Sequence, residues 1–176
     1  PTIHPVYQKN IEVLIKNIYN PGSKGTLISK ESKNPHGSLI KGISSIDEID
    51  LITLQGAGMV GVKGISSRLF GTLARIDVNI ILITQASSEY SISFALSPSD
   101  SDQALKALGA EFESEIKVRN ELNILIERDL SVIAIVGEQM KNTPGISANL
   151  FTSLGRNGIS VIATAQGSSE LNISVV

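Results

Sequence analysis

An internal repeat constrains this chain more than any other feature. Shifted by 81 residues, positions 51–95 align with positions 132–176 without a gap, and 17 of the 45 pairs are identical. Gly56 falls on Gly137, Met59 on Met140, the "GIS" at Gly64 on that at Gly145, and the "LF" at Leu69 on that at Leu150. Leu73 pairs with Leu154, Arg75 with Arg156, and the "Q-x-SSE" at Gln85 with its copy at Gln166. The chain must therefore fold as two copies of one small unit.

Each copy carries the same local signals. Residues 51–54, apolar but for Thr53, and 132–136, wholly apolar, are short runs as in a strand buried on both faces. A glycine-containing loop follows. Ile65, Leu69, Leu73 and Ile76 then recur at helical spacing, as do Ile146, Leu150 and Leu154, with the helices expected to open at Gly64 and Gly145. β-branched runs at 78–84 and 159–164 read as second strands. In the first copy Ile92, Phe94 and Leu96 alternate with Ser91, Ser93 and Ala95, the period of a strand with one face inward. Pro98, Ser99 and Asp100 start a second helix carrying Leu105, Leu108, Phe112 and Ile116, and residues 122–126 close the unit as a strand. The order βαββαβ predicts an α+β, ferredoxin-like fold.

Composition excludes several classes of function. The 176 residues are 41% hydrophobic and 18% charged, so a packed core is affordable, and no apolar run approaches the roughly 20 residues that span a bilayer. Fifteen basic against 17 acidic residues leave a net charge of -2 without a basic cluster, which argues against nucleic acid as a partner. With 0 cysteines there is no thiolate chemistry, and a reducing, cytoplasmic setting is expected. His4 and His36 stand alone, no metal-ligand spacing occurs, and no Ser/His/Asp set can be assembled, so no catalytic or metal site is expected. A chain that opens without Met and closes inside a strand pattern reads as a piece of a larger protein.

The stretch "QGAGMVGVKG" at Gln55 raises one competing reading, because Gly56, Gly58 and Gly61 have dinucleotide-fingerprint spacing. A dinucleotide site needs that loop to open a helix directly and an acid at the end of the next strand. Here the helix starts only near Gly64, Asp77 precedes the second strand, and the copy "GEQMKN" lacks the second and third glycines. NAD binding is accordingly the weaker reading.

Together, "TLQGAGMVGVKGISSRLFGTLARIDVNIILITQASSEYSISFAL" and "VGEQMKNTPGISANLFTSLGRNGISVIATAQGSSELNISVV" resemble the tandem ACT regulatory domains of aspartate kinases, most closely those fused to homoserine dehydrogenase. The opening "IHPVYQKNIEVLIKNIYNPGSKGTLI" is similar to the end of that family's amino-acid-kinase domain. The resemblance implies residues 1–37 as kinase tail and linker, 38–128 as a first ACT domain, and 129–176 as a truncated second. Residues 38–46 are expected to pair with the second domain, interlocking the two. The parent chain would use ATP and magnesium, whereas no cofactor is expected in this piece.

In that family an end-product amino acid binds where the strand-to-helix loop of one unit faces its partner. Elementary chemistry suits the place: free N–H groups at a helix start attract an α-carboxylate, and a strand-end glutamine offers its amide to an ammonium or hydroxyl. Gln85 and Gln166 are the first candidates. The resemblance adds Met59, Gly61, Gly64, Ile65, Asn79, Ile80 and Ile81, and implies threonine as effector and homo-oligomerisation through the ACT domains. Ile81 stands where lysine-sensitive relatives carry an acid, which argues against lysine. Glu89 and Glu170 read as hairpin-turn residues, and Arg75 and Arg156 as helix-end cations. Lys16 lies in a stretch that approaches nucleotide in the kinase family but lacks the rest of that site. The alternative is an ACT-type dimerisation scaffold with no working ligand site.

Overall fold

A computed structural model describes residues 3–29, 40–137, 140, 143–166 and 172–176. Two compact units divide the chain, Pro1–Ser38 and Leu39–Val176. The first contains helix α1 (Ile3–Gln8) and a short antiparallel hairpin, β1 (Val13–Ile15) with β2 (Thr26–Ile28). The Asn20–Pro21 turn of that hairpin is closed by backbone bonds from Asn20 to Asn17 and from Ser23 to Asn20.

The second unit is one six-stranded sheet in which every pairing is antiparallel, ordered β4-β5-β3-β6-β8-β7. Its centre is a ribbon of two long strands, β3 (Ile40–Gln55) and β6 (Asn123–Gly137). β3 pairs through its last residues with β5 (Ser91–Leu96), which pairs with β4 (Ile80–Gln85). β6 pairs through its last residues with β8 (Asn172–Val175), which pairs with β7 (Thr164–Gln166). Each repeat therefore has a four-stranded sheet, and the second takes its fourth strand from ahead of the first repeat. The start of β6 is the fourth strand of the first repeat, and the start of β3, where Gly42 faces Val136 and Ser45 faces Ile133, is the fourth strand of the second.

Sequence periodicity divides each of these long strands into separate pieces, and the structure fuses them. The joins are the charged stretches 47–50 and 127–129, where the register shifts between Ile46/Val132 and Leu51/Glu127. Glu48 (φ 56°) and Asp129 (φ 58°) take left-handed backbone at these joins, at positions one repeat length apart. Bulges let a ribbon continue through a polar stretch while turning sharply. β7 differs in the other direction, being shorter than the expected run 159–164: Ile162 and Ala163 both donate to the oxygen of Val176, an irregularity that interrupts the ladder.

Among the described residues, three α-helices complete the unit. α2 (Ile65–Arg75) and α4 (Ile146–Arg156) are counterparts, opening at Gly64 (φ 90°) and Gly145 (φ 93°), where a side chain would be strained. Neither helix has a side-chain cap, so the N–H groups of its first turn are left for other partners. α3 (Pro98–Glu111) follows N-cap Ser97, with Pro98 in its first turn, and runs on into a single π-helical turn at Ser114–Val118.

The largest core lies under α2 and α3, where Ile52, Leu54, Leu69, Leu73, Phe94 and Phe112 are fully buried. A smaller cluster under α4 contains Ile135, Met140, Ile146 and Ile173. Between the repeats a third cluster gathers Ile49, Leu51, Leu82 and Ala95 with Leu130, Val132, Ala163 and Val176. These are four pairs of repeat-related residues, so the two copies meet through the same patch, the arrangement of a two-fold interface within one chain. It also explains why Ala95, on the polar side of its strand's alternation, is buried.

Candidate functional site

The loop from β3 to α2 is shaped by its first glycines. Gly56 donates to Tyr90 O (3.0 Å), and a Cβ on Gly56 would collide with the backbone oxygen of Glu121. Gly58 donates to that same oxygen (3.2 Å). These residues thus serve the close approach of another backbone. β5 lies between β3 and β4, so the neighbouring parallel strands of a dinucleotide fold are not formed.

Beyond them the loop bounds a cavity of about 430 Å³. Buried Met59, Ile65 and Ile92 form its apolar lining. Gly61, Gly64, Ser66 and Gln85 supply polar groups, and Lys63 and Glu89 its charges. The uncapped start of α2 opens here, and its dipole together with unpaired N–H groups favours an anion. Gly61 N–H donates to Glu89 Oε2 at 3.2 Å across the cavity edge.

Five of the nine expected site residues, Met59, Gly61, Gly64, Ile65 and Gln85, meet around this cavity. Asn79, Ile80 and Ile81 do not border it. They enter β4 at the end away from Gln85, roughly 15 Å off at about 3.3 Å per residue. Ile80 packs on the core beneath α2 and α3, and Ile81 on the cluster between the repeats. Gln166 ends β7 in the second repeat, the place Gln85 has in the first. Glu89 is a turn residue, as expected (φ 56°, its N–H donating to Ala86 O at 3.1 Å), and it also reaches the loop. Only its position beside a glutamine repeated in both copies signalled this.

The first turn of α2 is fixed from its other side. Arg68 donates to Glu111 Oε1 (2.9 Å), to Glu115 Oε1 (2.6 Å) and to the backbone oxygen of Glu111 (2.8 Å), and stacks over Phe112 at 4.5 Å. Hydrogen bonding to Glu115 and then Glu111 raises the guanidinium pKa above its ordinary value, and Arg68 in turn holds both carboxyls below the usual range. A second staple lies at the start of α3, where buried Asp50 accepts from Ser101 Oγ (2.6 Å) and from Arg128 (3.3 Å). Arg75 bonds Thr72 (2.8 Å) and Glu111 (3.2 Å), which is structural work. Among the described residues, no group of three or more His, Cys, Asp or Glu side chains could hold a metal ion, and no helix is long and apolar enough to cross a membrane.

The corresponding place in the second repeat has Met140, Gly145, Ile146 and Gln166, with Asn142 where the first has Gly61. Asn142 and Glu170, like His36, lie outside the described residues.

Fold and site together define a tandem ferredoxin-like protein with a ligand-sized cavity at a strand-to-helix loop. The model of the ACT domain family matches residues 52–112 and 133–176, more than half of the chain, and the chain belongs to that family. It is 40% identical to the chloroplastic bifunctional aspartokinase/homoserine dehydrogenase of Daucus carota, over 99% of this chain and 20% of that protein. Among solved structures, the aspartate kinase of Clostridium acetobutylicum, described as an allosteric enzyme, aligns over 99% of this chain and 40% of its own, with TM-score 0.79 and 27% identity. The regulatory subunit of aspartate kinase from Thermus flavus shares the fold over 78% of this chain and 88% of its own, with TM-score 0.67 and 24% identity. The chain spans about a fifth of the length of the curated relatives it matches.

Proposed function

We propose that this chain is the effector-sensing regulatory region of an aspartate kinase of the type fused to homoserine dehydrogenase, and that it binds an end-product amino acid, threonine, at the β3–α2 loop. The observation that carries the reading is the cavity itself. Beside one another it presents an uncapped helix start for an α-carboxylate, the Gln85 amide for an ammonium or hydroxyl, and Met59, Ile65 and Ile92 for a short aliphatic side chain. Ile81 favours a small uncharged effector over lysine. Because Ile81 lies away from the cavity of its own chain, it can contribute only from a second copy, so pairing of chains through these repeats is part of the reading.

Regulation follows if the effector binds one arrangement of the paired repeats better than another, a coupling of typically about 1–3 kcal/mol. The linked kinase, using ATP and magnesium to phosphorylate the side-chain carboxylate of aspartate, would be held in its less active state. This region would itself catalyse nothing.

Isothermal titration with threonine, lysine, methionine and NAD tests the proposal. Threonine should bind. Gln85→Ala should weaken it about tenfold or more, from loss of hydrogen bonds worth about 1–3 kcal/mol, whereas Gln166→Ala should leave the first-repeat site unaltered. A folded dimer that binds none of the amino acids would instead be a dimerisation scaffold.

A further inference from the structure

Within the loop, the N–H groups of Met59, Val60 and Val62 are taken up by loop carbonyls, those of Gly56, Ala57 and Met59. Gly61 N–H is used differently, bonding the Glu89 carboxylate from the β4–β5 hairpin. Gly61 (φ 71°) lines the cavity together with Gly64 and Ile65 at the uncapped start of α2, so this N–H lies beside the space a ligand would fill. One of the N–H donors beside the uncapped start of α2 is thus already held by a carboxylate of the protein.

We propose that Glu89 makes the cavity selective for zwitterions: its carboxylate stands in for the ligand's on Gly61 N–H, and gives way only to a ligand whose ammonium group pairs with it. The inference rests on the reading of the cavity as an amino-acid site and names what chooses the ligand there. A carboxylate without an ammonium meets two obstacles, a donor already occupied and a like charge within a few ångströms. An amine without a carboxylate can pair with Glu89 but leaves Gly61 N–H and the first turn of α2 without an acceptor. An α-amino acid satisfies both at once. Its ammonium draws Glu89 aside, and its carboxylate takes the vacated N–H with the dipole of α2 behind it. Lys63, the other charged residue of the cavity, attracts carboxylates with or without an ammonium and cannot make this distinction.

Glu89→Gln separates charge from architecture, because the glutamine oxygen can still accept from Gly61 N–H. L-threonine and 3-hydroxybutyrate, the same molecule without its ammonium, are titrated into the 176-residue chain and into E89Q, with thermal melting of both as the control for folding. The wild type should prefer threonine. In E89Q threonine should weaken about tenfold while 3-hydroxybutyrate strengthens, moving the preference by a factor on the order of 100. Parallel weakening of both ligands would mean that Glu89 merely braces the hairpin, and an unaltered preference would equally overturn the inference while leaving the amino-acid site standing. A folded wild-type chain that binds no threonine would overturn that underlying reading, and this inference with it.

Discussion

The two repeats are symmetric where they meet and unlike where they face outward. Ile49, Leu51, Leu82 and Ala95 of the first oppose their counterparts Leu130, Val132, Ala163 and Val176, all buried or partly buried between the copies. Away from this contact, Leu69 and Leu73 on the inner face of α2 are fully buried, whereas on α4 Leu150 is partly exposed and Leu154 retains 9% exposure. The cause is α3. In the first repeat it covers Ile52, Leu73 and Phe94; around their counterparts Ile133, Leu154 and Val175 the structure has a cavity of about 180 Å³. One strand–helix–strand–strand wording thus builds one topology twice, while the degree of burial depends on what covers the sheet.

Removing residues 1–46 should produce the largest break between the repeats. It strips β6 of its partner along 132–137 and takes the fourth strand from the second repeat, whereas the strand pairs of the first, from Ile49 and Leu51 onward, remain. Hydrogen exchange should show amides of 132–137 and 172–175 losing most of their protection while those of β5 keep theirs. Removal of residues 1–38 alone is the control and should leave both sets protected. Equal protection after both deletions would refute the interlocked arrangement. A smaller effect comes from trimming one position in each copy. Leu69→Ala should cost about 3–5 kcal/mol, and Leu150→Ala, in its looser site, about 1–2 kcal/mol, measured by urea denaturation. Equal costs would mean that burial does not distinguish the two cores.

Much of this was legible in the residues. Spacing placed α2 and α4 after their glycines, alternation gave β5 its buried Ile92 and Phe94, and the repeat required two like units. Local pattern misled where a long-range contact decides. The charged residues at Asp47 and Arg128 look like strand ends, yet bulges carry both strands through them. Ala95 looks outward-facing, and the second copy buries it. For the site, the repeat and the glycine loop pointed to Gln85, whereas Ile81 was grouped with it by the family resemblance alone, and within one chain Ile81 lies away from the cavity.

The smallest effect concerns the staple on α2 of the first repeat. Arg68 ties α2 to Glu111 and Glu115, while its counterpart in the second repeat is Asn149. Arg68→Asn therefore makes the first copy resemble the second at this point. With the Arg68 side chain 38% exposed, solvent screening limits the cost at neutral pH to about 1 kcal/mol, part of it the stacking on Phe112. Both carboxyls titrate below the ordinary range in the folded chain, so their contribution is fully present above the unfolded glutamate value of about 4.3 and fades as pH falls through the lower folded values. Stability measured at pH 7, 5 and 3 should show the gap between wild type and R68N steady over the first two and narrowing at the third, down to the stacking contribution. A gap that stayed constant to pH 3 would mean that Arg68 holds the helices together by packing alone, and that the ion pairs do not distinguish the repeats.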